Sequence, residues 1–60
     1  MSISLFDRAH IGEIIEERAG DWFTAELLRL CAKADAGNLE RLRAGFPDVV
    51  EAYLYWRDAA

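Results

Sequence analysis

The chain holds one histidine, His10, and one thiol, Cys31. They are the residues whose types could do nucleophilic or acid–base work, and the spacing puts them in different predicted helices. Cys31 falls at the edge of an apolar stripe, where cysteine behaves as a small hydrophobe. A reactive thiol needs a cationic neighbour that lowers its pKa. His10 and Glu13 stand three apart on one predicted helix face, as metal ligands can. A di-metal helical site needs several carboxylates plus histidines from facing helices, which one histidine does not supply. The four glycines are scattered as punctuation and form no phosphate loop. The sequence therefore predicts no catalytic residue, no cofactor, no metal and no enzyme.

What remains is recognition chemistry. "EIIEER" concentrates Glu13, Glu16 and Glu17 on one side of a predicted helix. The bland meaning is a solvated face; the sharper one is an acidic rim that docks on a basic surface. Trp22, in "GDWFTAELLRLCAKAD", projects among Glu26, Arg29 and Lys33 rather than with the leucines. It can fold back over the preceding loop and cap the first helix, since helical side chains lean toward the amino terminus. It can equally be an interface anchor inside a polar rim. Tyr55 sits among Asp48, Glu51 and Asp58 with no such loop to cover. The candidate partner-binding set is thus Trp22, Tyr55, Glu13, Glu16 and Glu17.

Those residues need elements to position them. "SLFD" fits an acidic capping box, with Ser4 accepting from the amide of Asp7. Ile11, Ile14, Ile15 and Ala19 then follow a period near 3.6. Gly20 is a predicted stop and Asp21 a predicted new N-cap. The apolar rhythm nevertheless runs through Gly20, so one bent helix is the competing reading. In the second helix, Phe23, Leu27, Leu30 and Ala34 form the expected central stripe, widened by Thr24, Leu28 and Cys31. Asp35 caps a short third helix with Leu39, Leu42 and Phe46. Gly45 suits a left-handed stop and Pro47 the first turn of a last helix, about Pro47 to Asp58. There Val49, Ala52, Tyr53 and Trp56 make one apolar strip, and Val50 and Leu54 another. The expected core is Phe23, Leu27, Leu30, Leu39, Leu42, Val50, Tyr53 and Trp56. The predicted fold is all-α, a small bundle of three to four short helices in a single domain, 1–60.

Size and charge narrow the function. A chain of 60 residues buries only about 60% of the surface its unfolded form exposes. One cysteine permits no internal disulfide. With 53% hydrophobic residues, apolar surface is expected to stay outside or be covered by another chain. A net charge of −4 disfavours general nucleic-acid binding. The helices joined at "KADAGN" also admit a helix-turn-helix reading, with Asn38, Arg41 and Arg43 toward the major groove. That reading has low weight, because the third helix is short and carries Glu40 among its basic residues. No apolar run approaches the ~20 residues of a membrane span. "MSISLFDRAH" lacks the basic start and long apolar stretch of a signal peptide. A reducing cytoplasm is the expected setting.

"GDWFTAELLRL", "KAD" and "LRAGFPDVVEAY" resemble short helical proteins encoded by bacteriophages and prophages, over more than half of the chain. The resemblance lies in overall pattern and carries no catalytic signature. It implies a setting, a bacterial host cytoplasm, and a mode of action: binding and blocking a host protein or complex. Inhibitors of CRISPR effector complexes are one such class. The leading expectation is therefore a small acidic protein that inhibits a host protein by occupying its surface. The alternative is a structural homo-oligomer, a homodimer in its simplest form. The DNA-binding regulator ranks below both.

Overall fold

The computed structural model describes residues 3–59. Among the described residues five helices follow one another: α1 (Leu5–Ala9), α2 (Ile11–Glu16), α3 (Phe23–Lys33), α4 (Ala36–Gly45) and α5 (Pro47–Ala59). The all-α bundle is as predicted, with one more helix because the first predicted helix divides at His10. The His10 amide bonds the carbonyl of Asp7, three residues back, and its ring Nδ1–H takes the Phe6 carbonyl at 2.6 Å. The side chain thus occupies the acceptor that a continuous α-helix would give to the His10 amide.

Several boundaries obey local rules. Ser4 Oγ accepts from the Asp7 amide at 3.0 Å, and Asp35 accepts from the Asn38 amide at 2.8 Å. Each satisfies an otherwise orphaned helix donor. Pro47 opens α5, where its missing amide costs no intrahelical bond.

Three boundary expectations need correction. The bent helix through Gly20 is not formed: α2 ends at Glu16, and Arg18 turns left-handed at φ 56°. Asp21 is not the N-cap of α3; Trp22 holds that position, with no capping side-chain bond. Gly45 is the last residue of α4 rather than a left-handed stop, and Phe46 follows at φ −136°.

Helix α3 packs against α2 on one side and α5 on the other, while α5 also carries α4. The core joins Ile3, Ile11 and Ile14 to Leu27, Leu28 and Cys31 of α3 and to Val49, Val50 and Tyr53 of α5. Leu39, Leu42 and Trp56 pack on its margin, half-buried. Phe23 and Leu30, expected at the centre, are 59% and 46% exposed. The apolar arc of α3 is wider than its two neighbours can cover, and they cover the Thr24–Leu28–Cys31 side. Phe23 instead meets Phe46 with ring centroids 5.8 Å apart. Arg43 pairs with Glu51, tying α4 to α5.

Candidate protein-binding surface

The site is built around the loop between α2 and α3, residues 17–22. Two side chains fix it. Trp22 folds back toward the amino terminus, and its Nε1–H donates to Oδ1 of the buried Asp7 at 2.9 Å. Its ring lies directly over Gly20, where a Cβ would sit 2.0 Å from the ring carbon Cζ3. Gly20 also has φ +85°, so glycine is required there twice over. From the other side, the Arg29 guanidinium donates to the carbonyls of Ile14 (3.0 Å), Ala19 (3.2 Å) and Gly20 (2.7 Å). These acceptors belong to the end of α2 and the loop behind it, where helical partners run out.

Trp22 keeps 39% of its surface exposed despite this anchoring. Its outer neighbour is Phe6, centroids 6.0 Å apart, and Phe6 in turn stacks on His10 at 4.1 Å. Phe6 and Leu5 are largely exposed. Tyr55, 78% exposed, lines a cleft with Arg8, Ala52 and Trp56. Asp48, Glu51 and Asp58 edge the same side of α5. Trp22 lines neither cleft that Tyr55 lines; each borders α1, Trp22 through Asp7 and Tyr55 beside Arg8. Glu13, Glu16 and Glu17 are all exposed on α2 and its C-terminal cap.

Sequence reasoning missed the roles of Leu5, Phe6, Asp7 and Arg29. Leu5 and Phe6 follow Ser4 at the start of a short helix with only one covered side, a signal that they need not both be buried. Asp7 reads as a first-turn acid favouring the helix dipole, and nothing in its spacing shows that an indole fifteen residues on will reach it. Arg29 reads as one more residue of a polar face.

The other chemical candidates are structurally engaged. Cys31 is buried, and burial pushes its thiol pKa up. His10 is held by the Phe6 carbonyl and ring. Among the described residues, no three His, Cys, Asp or Glu side chains gather as a metal centre would need. Arg43, one of the cations a helix-turn-helix would turn toward the major groove, is taken up by Glu51 and approached by Glu40. Among the described residues, no helix is long and apolar enough to cross a membrane. Comparison with protein-family models, with curated proteins and with solved structures gives no match.

Proposed function

We infer that the protein is a binding module of bacteriophage type that inhibits a host protein by occupying its surface. One observation carries this reading: Leu5, Phe6, Trp22 and Tyr55, four large apolar side chains, stay exposed on and beside the short helix α1. The structure spends effort on keeping Trp22 there, since Asp7 and Gly20 both serve its placement. Exposed aromatics on a fixed scaffold, with carboxylates around them, have the make-up of interface anchors with a polar rim. In this reading Trp22 and Tyr55 are the anchors, and Glu13, Glu16 and Glu17 set association rate and salt dependence. The resemblance to phage proteins supplies the class of target, a bacterial host machine such as a CRISPR effector complex.

The test combines capture with melting. Immobilised wild-type protein should retain a discrete host protein from a bacterial lysate. Tyr55→Ala should lose it while melting as wild type does. In a CRISPR-armed host, expression should restore plaque formation by a targeted phage if the target is a CRISPR effector. Unchanged capture by Tyr55→Ala removes Tyr55 from the interface. The same exposed side chains also suit self-association, and light scattering on the eluted protein separates the readings: a tight homodimer favours the structural subunit.

A further inference from the structure

A second surface, of opposite character, lies on the outward side of α3. Two adjoining clefts, of about 620 and 400 Å³, share Leu30 and Lys33. Ile15 and Leu42 extend the apolar floor to either side of the half-exposed Leu30. Arg18, Arg29, Lys33 and Arg41 line the walls. Four of the seven cationic side chains of the chain are thus gathered here, against Glu26 alone among eleven carboxylates. The remaining surface is left with three cations and nine carboxylates, Asp7 being buried. Among the described residues, the ion pairs engage only Arg43 and Arg57, so none of the four groove cations is neutralised by a carboxylate within salt-bridge distance. Arg29 is bonded to carbonyls, which leave its net charge in place.

We propose that this groove docks an acidic amphipathic helical segment of a partner protein, with one apolar side chain on Leu30 and carboxylates on Lys33, Arg41 and Arg18. Helix-in-groove recognition needs an apolar floor and flanking charge of the opposite sign, and both are present. Charge complementarity selects an acidic occupant. The strongly acidic remainder of the molecule selects a short one, because a nucleic-acid duplex reaching past the groove meets a surface on which carboxylates outnumber cations. A second copy of the chain would have to seat an acidic face that lines neither cleft, such as Glu13, Glu16 and Glu17 or Asp48, Glu51 and Asp58, and a protein concentration series separates it from a partner segment. The proposal does not rest on the aromatic surface around α1; Tyr55→Ala leaves the groove whole, and charge reversal in the groove leaves Tyr55 in place.

The test is amide chemical-shift mapping on the whole chain with three probes. One is a synthetic helical peptide with a leucine stripe flanked by glutamates; one is the same peptide with lysine for every glutamate; one is a short DNA duplex. The acidic peptide should shift amides of Leu30, Lys33, Arg41 and Arg18, and bind more weakly as salt shortens the Debye length from about 30 to 8 Å. Lys33→Glu with Arg41→Glu should weaken that binding at least about tenfold, the equivalent of about 1.4 kcal/mol. Both side chains are exposed, and the melting curve of this variant checks that it folds. The proposal is overturned by preference for the lysine peptide or the duplex, or by shifts mapping outside the groove. It is also overturned by groove shifts that appear on raising protein concentration alone, which mark a second copy, or by no shift at millimolar peptide.

Discussion

The indole of Trp22 and the carboxylate of Asp7, fifteen residues apart, form a 2.9 Å hydrogen bond that fastens the first helix to the start of the third. Asp7 is buried, so losing the donor leaves a desolvated carboxylate without that partner. Trp22→Phe should therefore cost about 1–3 kcal/mol, and Trp22→Ala more, since the ring contacts go as well. Chemical denaturation of Trp22→Phe, Asp7→Ala and the double variant measures the coupling, expected within about 0.5–3 kcal/mol. A coupling of zero would mean that the bond contributes nothing to stability. Trp22 would then owe its place to its ring contacts with Gly20 and Phe6.

Gly20 offers an independent check on the same corner. A side chain there meets a left-handed backbone, which costs about 1–2 kcal/mol for an L-residue, and collides with the Trp22 ring. Gly20→Ala should lower the melting temperature by more than the backbone penalty alone explains. Adding Trp22→Ala removes the collision, so the double variant should be more stable than the two separate losses sum to. Strict additivity in thermal melts would show that ring and glycine are not in contact.

The register of α3 is tested by three leucines. Leu27 and Leu28 are buried, and truncation to alanine should cost ~2–5 kcal/mol at each, comparable with the whole stability of so small a core. Leu30→Ala should cost far less, because nearly half of that side chain is already in water. Melts in which Leu30→Ala is the most damaging of the three would restore the stripe that simple periodicity suggests.

Cys31 gives the molecule an alkaline signature. Desolvation by burial raises its thiol pKa in the fold, while the unfolded chain ionises near the ordinary value of about 8.5. The stabilising difference is complete below that unfolded value and is lost as pH rises through it toward the folded one. Stability should therefore decline on the alkaline side, and Cys31→Ala should flatten that decline. At mildly alkaline pH a thiol reagent should label Cys31 only as fast as the chain opens, and at once in denaturant. Rapid labelling of the native protein would place the thiol at the surface.

Much of the scaffold was legible because it depends on local chemistry. Ser4, Asp35 and Pro47 mark helix starts through bonds made or omitted within one turn. The strips of α5 follow from period alone: Val49, Val50 and Tyr53 are inside, and Tyr55 is outside. What escaped was decided at a distance. Which part of the wide apolar arc of α3 is buried depends on where α2 and α5 stand, and no pattern within α3 encodes that choice. The break at His10 turns on one ring nitrogen competing for a carbonyl, a detail invisible to hydrophobic spacing. For the candidate surface, the exposure of Tyr55 was readable from its charged neighbours. Trp22 was readable only as a choice between cap and anchor, and it is both tethered and partly exposed. The concentration of cations on the outer side of α3 was not readable, because Arg18 and Arg41 join it from other segments.

The three-pronged grip of Arg29 has a consequence for the order in which the molecule comes apart. Helices α3, α4 and α5 are joined by links of two residues or one, so their mutual contacts survive small excursions of the chain. Residues 3–22 are secured differently, through Arg29, Trp22 and the seating of Ile3, Ile11 and Ile14 in the core. Arg29 and Trp22 restrain the loop between α2 and α3, and the three isoleucines restrain the helices before it. The amino-terminal segment is therefore expected to lift as one cooperative unit rather than fray residue by residue. Hydrogen exchange should then show amides of α1 and α2 sharing a single opening free energy below that of global unfolding, with α1 and its exposed side chains released while the other three helices stay folded.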